Sequence, residues 1–343
     1  MGARRVRMTS PGFDVPLVVE DCEPKSPGVG QVLVEVEACG VCHRDLIDRA
    51  GRFPWMQLPV TPGHEVAGRV VEVGDGVSQW AVGDRVGTLH RDCCGACDAC
   101  SRGDTSLCAQ AMWVFGLLVD GGYATQVLAT ESALYALPED LPAKEACILH
   151  CTVGTAYRGL VVFGGLEQGQ RALVVGANGG VGAAAVQVAS RLGANVTAVI
   201  RSEERADFVR EQGADKVVVD SGTRFHKKIG HPVDVAIDCV GSPTFNSSLR
   251  SLRMGGRLIA VGNVSEERAA LNVGYAIVNG LQIIGSSGAT QADMASVLAL
   301  HRRAPLALSA LVERTFDLSE AERAHAAIRG GRLRGRIVLE NQQ

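Results

Sequence analysis

Aromatic residues are scarce in this chain, at 4 % Phe, Trp and Tyr. So few argue against a surface of stacking platforms for nucleic-acid bases. A surplus of charge is also missing. Thirty-four Lys and Arg stand against 37 Asp and Glu, a formal net charge of −3. No basic excess is present to displace counterions from a phosphate backbone, which argues against a nucleic-acid partner. Nor is there an unbroken apolar run. The most apolar stretch, 172–200, is interrupted by Asn178, Gly179, Gly180, Gln187, Arg191 and Asn195. That pattern is wrong for one bilayer-spanning helix. The first ten residues, MGARRVRMTS, carry charge with no apolar stretch behind them, unlike a secretory signal. The expectation is a cytoplasmic protein with no membrane partner.

Apolar residues make up 46 % of the chain and charged residues 21 %, enough to bury a core and rule out disorder as the main state. At roughly 100–200 residues per domain, 343 residues allow about two domains. Glycine is abundant, with 41 residues, and points to many tight turns and close backbone approaches. Cysteine is abundant too. In a reducing compartment eleven thiols are better explained as metal ligands or catalytic groups than as disulfides.

Up to about residue 150 the sequence reads as short alternating segments between turns. Residues 31–38 (QVLVEVEA), 68–74 and 84–87 have the period of half-buried strands. Beyond residue 152 the pattern changes. Strands are predicted at 171–175, 195–200, 216–219, 233–238 and 257–261, with helices at 181–192 and 203–211 between the first of them. Strands alternating with helices at this pitch build parallel βαβ units in a doubly wound sheet, closed by a strand at 281–285. The tail reads as helices at 294–301 and 319–328 and a strand at 335–340, too little for a third domain. The fold class is therefore α/β, a mostly β domain with a doubly wound Rossmann domain. The nucleotide domain is expected at 152–287, and the other at 1–151 and 288–343.

The segment 176–182, GANGGVG, lies between a predicted strand and a predicted helix. There Gly176, Gly179, Gly180, Val181 and Gly182 would let the backbone meet a pyrophosphate at the helix N-terminus. A plain glycine-rich turn is the blander reading, and the strand–turn–helix context argues against it. The end of the second strand chooses between cofactors. An acid there binds the ribose hydroxyls of NAD(H), but this chain has Arg201 and Ser202, with Arg205 close by. A guanidinium and a hydroxyl suit a 2′-phosphate, so NADP(H) is preferred over NAD(H). The alternative leaves Arg201 and Arg205 in solvent and gives the acid's task to Glu203.

Cys94, Cys97, Cys100 and Cys108 follow one another on a glycine-containing loop. Four such thiolates can close a tetrahedron around a structural zinc with no open position. Cys93 is then a bystander. Other polar residues are ambiguous alone. His64 could be a satisfied core histidine, and Cys151 a small buried apolar group.

Taken together, these segments resemble a known family. Cys42, the triplet Gly63-His64-Glu65, the four-cysteine segment, Cys151 with Thr155 and Tyr157 after it, and the glycine loop occur in a recognisable order and spacing. The pattern is similar to the zinc-containing medium-chain dehydrogenase/reductase family, the alcohol dehydrogenases and their relatives. The resemblance implies a GroES-like catalytic domain built from both ends of the chain around a Rossmann domain. It also implies a catalytic zinc in the cleft between them, so two zinc ions per chain. Cys42, His64 and Cys151 would be its ligands, preferred over His150, with Glu65 able to approach or replace a labile one. Asp45 would hydrogen-bond His64, and Thr155 would contact the cofactor. The implied reaction is hydride transfer between nicotinamide and a zinc-bound alcohol or carbonyl, in a homo-oligomer, dimer or tetramer, with an edge near 281–285 pairing across the interface.

One position departs from the family. Two residues after Cys42, alcohol dehydrogenases usually carry a hydroxyl that relays the substrate proton, and this chain has Arg44. A guanidinium stays protonated and cannot relay. His43 could titrate there, or contact cofactor phosphates. Arg44 is expected to bind an anion on the substrate or cofactor. Together with 238–245 (DCVGSPTF) and 254–257 (MGGR), the segment Cys42-His43-Arg44-Asp45 is similar to archaeal acryloyl-coenzyme A reductases. That similarity implies an alternative, NADPH-dependent reduction of activated C=C bonds. A non-enzymatic nucleotide-binding protein is the third reading.

Overall fold

Fifteen strands form among the described residues of the computed structural model, which are 2–221, 224–265 and 267–341. The chain divides into two units. The first comprises Met1–Cys151, Thr290–Met294 and Val312–Gln343, and the second Thr152–Ala289 and Ala295–Leu311.

The first unit holds β1 (Ala3–Arg7), β2 (Val18–Cys22), β3 (Gln31–Val41), β4 (Glu65–Val73), β5 (Arg85–Thr88), β6 (Gln126–Thr130), β7 (Leu134–Ala136), β14 (Val312–Asp317) and β15 (Arg336–Glu340). β1 and β2 pair with each other. The rest form a seven-stranded sheet in the order β14-β15-β3-β4-β5-β7, with β6 also on β3. β3 is its spine. Val32, Val34 and Val36 point inward while Glu35 faces solvent, the alternation of a strand with one dry face. Its inner residues pack with Val66, Val70, Val86, Leu134, Ile337 and Leu339. β15 runs antiparallel to the end of β3, with Ile337 opposite Val41. This register puts Arg336 beside the turn that follows β3. A short helix, His43–Arg49, starts there, with Cys42 as its N-cap.

The second unit holds β8 (Arg171–Val175), β9 (Asn195–Ile200), β10 (Lys216–Val219), β11 (Val233–Asp238), β12 (Leu252–Ala260) and β13 (Gln282–Gly285). They form one parallel sheet in the order β10-β9-β8-β11-β12-β13. The order reverses between β8 and β11, which defines the switch point where dinucleotides bind in doubly wound sheets. The inner strands are short runs of Val, Ile, Leu and Ala, buried on both faces as a helix-covered parallel sheet requires. Helix Gly180–Arg191 follows β8 and buries Ala183, Ala184, Ala185, Val186, Val188 and Ala189. Its first turn lies very close to the strand end. A Cβ on Gly182 would sit 2.2 Å from the carbonyl oxygen of Gly176, so no larger residue fits there without moving the loop.

Two features differ from the sequence reading. Residues 295–311 cluster with the second unit, although all of 288–343 was expected with the first. The cause is a set of polar ties to helix Gly180–Arg191. Gln187 exchanges two hydrogen bonds with the backbone of Ala307, at 3.1 and 2.8 Å, and Arg191 donates to the Pro305 carbonyl. One helical run, 143–163, is also long and apolar enough to cross a membrane by length and composition. Its most apolar window is 72 % buried within the protein, as a core helix would be.

Candidate metal centre and nucleotide loop

The turn after β3 gathers the first unit's chemistry. In helix His43–Arg49 the third residue is Asp45, whose Oδ2 accepts the backbone N–H of Cys42 at 2.8 Å. A carboxylate in a first helical turn satisfies an orphan donor and faces the positive end of the dipole. Its other oxygen, Oδ1, lies 3.0 Å from Nδ1 of His64. Both side chains are almost fully buried. Glu65 is the first residue of β4, opposite Gly40 of β3, and His64 immediately precedes it. Cys151 comes from a π-helical turn, Leu149–Gly154, a widened helix of the kind that often marks functional positions.

These elements bring ligand atoms of Cys42, His64, Glu65 and Cys151 within 4.8 Å of one another. The Cys42 and Cys151 sulfurs are 3.8 Å apart. Thiolates at about 2.3 Å from a tetrahedral zinc stand about 3.8 Å apart, so the spacing fits. Nε2 of His64 is buried with no hydrogen-bond partner among the described residues. Asp45 holds the proton on the other nitrogen, which leaves Nε2 as the position where a metal would replace a proton. His150 is not part of this group. It stacks on His90, with ring centres 5.4 Å apart.

The electrostatics of the group are strongly coupled. Hydrogen bonding from Cys151 lowers the Cys42 thiol against the opposing effect of burial, with help from Arg336 and His64. Cys151 is pushed up by the same contact and by burial. Burial raises Glu65 to about 8, opposed by Arg336. Nη2 of Arg336 is 2.7 Å from Glu65 Oε1. Burial and Arg44 push His64 down, but Asp45 and Cys42 outweigh them and carry it to about 10.

Arg44 has partners already. Its Nε is 3.0 Å from Asp48 Oδ2, one helical turn on, and its Nη2 donates to the Phe115 carbonyl at 3.0 Å. An anion on substrate or cofactor was expected beside Arg44, and inside the protein its guanidinium meets the buried Asp48, whose carboxyl burial raises to about 7. His43 is exposed at the helix start.

A second group of ligand atoms, from Cys94, Cys97, Cys100 and Cys108, also lies within 4.8 Å. Sulfur separations are 3.9 Å for Cys94–Cys100, 3.5 Å for Cys97–Cys100 and 3.8 Å for Cys97–Cys108, again near a tetrahedral edge. Backbone N–H groups of Ala96 and Cys97 point at the Cys94 sulfur, and they lower its pKa. The N–H of Cys100 chiefly brings Cys97 down to about 6, against burial. Such donors favour thiolate, the form that binds metal.

In the second unit, Gly176–Gly182 forms the turn between β8 and helix Gly180–Arg191, with Gly179 as N-cap. Arg201 is exposed just past β9, and Ser202 begins the turn Glu203–Arg205. Glu203 lies 4.0 Å from Arg210. Thr155 follows Cys151 in the same helical run and is buried.

Sequence reasoning missed several polar residues that meet this site. They are Arg336 on Glu65, Asp48 on Arg44, and Tyr123 and His325 behind Asp45. Only Asp48 had a local signal, its i,i+4 spacing from Arg44. The others arrive through strand register and tertiary packing.

Residues 28–139 match the alcohol dehydrogenase GroES-like domain, and residues 180–303 match the zinc-binding dehydrogenase model. The chain is 35 % identical to an acryloyl-coenzyme A reductase of Sulfurisphaera tokodaii over 326 residues, 94 % of this chain and 96 % of that protein. It is equally 35 % identical to an alcohol dehydrogenase of Geobacillus stearothermophilus over 335 residues, 96 % of this chain and 97 % of that protein. The crystal structure of AibC aligns with a TM-score of 0.93 at 38 % identity, covering 99 % of this chain and 96 % of that one. The GroES-like and Rossmann domains implied by the sequence are both present, and the chain belongs to the zinc-binding medium-chain dehydrogenase/reductase family, the alcohol dehydrogenases and their relatives.

Proposed function

We propose that the protein is a zinc-dependent, NADP(H)-linked oxidoreductase acting on alcohols and carbonyl compounds. Cys42, His64 and Cys151 hold the catalytic zinc, with Glu65 in reserve, and Cys94, Cys97, Cys100 and Cys108 hold a structural one. The observation that carries this reading is the buried Nε2 of His64, without a hydrogen-bond partner among the described residues, converging with two sulfurs spaced for a tetrahedral ion. The chemistry a bound zinc supplies is Lewis acidity toward a carbonyl or alcohol oxygen. Asp45 fixes the His64 ring. Arg336 pairs with the buried Glu65 side chain. The glycine loop and the first N–H groups of helix Gly180–Arg191 receive the cofactor pyrophosphate, with Thr155 as a further cofactor contact. Arg201, Ser202 and Arg205 receive the 2′-phosphate. The cell compartment proposed is the cytoplasm.

A second reading is reduction of activated C=C bonds in enoyl thioesters. One observation favours it. Arg44 occupies the relay position and is tied to Asp48 and the Phe115 carbonyl, so an alcohol proton has no hydroxyl path there. The similarity to an acryloyl-coenzyme A reductase supports the same reading. His43 is the exposed titratable group left at this end of the helix. NADPH supplied with aldehydes, ketones and enoyl thioesters separates the two. The first reading expects NADPH oxidation with aldehydes or ketones, and turnover confined to the thioesters would replace it by the second. No turnover at all would leave a non-enzymatic nucleotide-binding role.

Metal analysis of the freshly purified protein is expected to give two zinc ions per chain. Cys42→Ser should lose one ion and the activity while the fold survives. Cys97→Ser should lose the other and lower the melting temperature. One zinc or none in the unmodified protein would reject the ligand assignment.

For cofactor choice, Arg201→Ala should raise KM for NADPH roughly ten- to a hundredfold more than KM for NADH, because a guanidinium–phosphate hydrogen bond is worth about 1.5–3 kcal/mol. Equal effects on both cofactors would show that Arg201 does not read the 2′-phosphate.

The oligomer proposed is a dimer or tetramer assembled through the free edge of β13. In the helix Val273–Val278, which precedes β13, Val273, Ile277 and Val278 are exposed, apolar residues suited to a second copy. Sedimentation should show a dimer or tetramer, dissociated in a variant carrying both Ile277→Asp and Val278→Asp. A monomer at micromolar concentration would contradict this.

A further inference from the structure

We propose that Tyr123 and His325 are positioning residues of the metal centre, acting through Asp45 to hold a proton of His64 on Nδ1 and fix the ring with Nε2 at the metal position. The inference rests on the proposal that His64 is a zinc ligand.

The argument is one of donors and acceptors. Asp45 receives three contacts. Cys42 N–H and Tyr123 Oη reach Oδ2 at 2.8 and 3.0 Å, and His64 Nδ1 reaches Oδ1 at 3.0 Å. An ionised carboxylate only accepts, so Tyr123 must turn its O–H toward Asp45. The phenol oxygen then has only lone pairs to offer Nε2 of His325, 3.2 Å away. His325 therefore carries its proton on Nε2. Its Nδ1 must be bare, and Nδ1 is indeed buried with no hydrogen-bond partner among the described residues. Burial holds the His325 pKa down at about 4 and pushes that of Tyr123 well above its usual value, so the imidazole stays neutral and the phenol stays a donor. The chain then runs in one sense only, from His325 to Tyr123 to Asp45, which also takes the proton of His64.

Packing supports the same chain. Tyr123 N–H donates to the Pro62 carbonyl at 2.9 Å, and its ring lies against Gly63, the residue before His64. A Cβ on Gly63 would be 2.4 Å from the ring carbon Cδ1, so a glycine is needed for this approach. The His325 ring meets that of Tyr123 edge-on, with centres 5.7 Å apart at 79°. All four side chains lie in residues no more than 2 % exposed. Apolar residues could fill that space, yet the protein buries a complete polar relay behind one ligand nitrogen. Such outer contacts commonly set metal affinity.

The test is zinc affinity of the full chain, read by chelator competition, with the four-cysteine site as internal control. Tyr123→Phe keeps the ring and should weaken the Cys42–His64–Cys151 site about tenfold, the low end for outer-shell changes. His325→Leu should weaken it as well. His325→Gln, whose amide can still donate to Tyr123, should stay within about twofold of the unmodified protein. In an Asp45→Ala background Tyr123→Phe should change affinity by less than about twofold, because the path through Asp45 is gone. Unchanged affinity in Tyr123→Phe, or an equal loss in both backgrounds, overturns the relay while leaving the ligand set intact. If Tyr123→Phe fails to fold, equal affinities for His325→Leu and His325→Gln overturn it instead. An unmodified protein holding zinc only at the four cysteines overturns the ligand set and the relay together.

Discussion

One buried carboxylate organises this centre. Asp45 caps the helix that follows β3, orients His64 and anchors Tyr123 with just two oxygens. Burial alone would raise its pKa, but His64 and the other groups around it hold it below the usual carboxylate range. An anion fixed in a dry pocket acts strongly on its neighbours because little water screens it. Cys42 follows β3 and His64 precedes β4, and Asp45 is the group that ties both to one local frame.

The arginines around that frame are each paired with an acid. Arg336 faces Glu65, and Arg44 faces Asp48. Each guanidinium has a carboxyl partner inside the protein. This distinguishes the site from one that recruits a charged substrate through a vacant arginine. The four-cysteine lobe works differently, since its sulfurs are met by backbone N–H groups of their own loop. That loop can preorganise its thiolates from local sequence alone, whereas the first site needs residues from across the first unit.

The sequence was legible in proportion to how local each feature is. Strands β8 to β11 begin and end where the apolar runs at 171–175, 195–200, 216–219 and 233–238 do, because a parallel strand buried on both faces must be a short run of β-branched residues. The four-cysteine spacing and the glycine loop are equally local. Helix His43–Arg49 is only seven residues long and is capped by a cysteine, so neither periodicity nor a usual N-cap residue announces it. Without that helix the Arg44–Asp48 pair could not be read, and Arg44 looked unpartnered. Tyr123 and His325 are 202 positions apart, and only the folded register shows that they touch.

The pairing of β15 with β3 has a consequence for synthesis. Residues 38–41 of β3 find their second neighbour in residues 337–340, almost the whole chain later. At a ribosomal pace of about 5–20 residues per second, that edge stays open for roughly 15–60 s, while all strands of the Rossmann sheet emerge and can pair. The exposed backbone leads directly into Cys42. The turn that carries Cys42 is therefore among the last parts of the molecule to acquire its final surroundings, and a nascent chain stalled before β15 would present that thiol beside an unpaired strand.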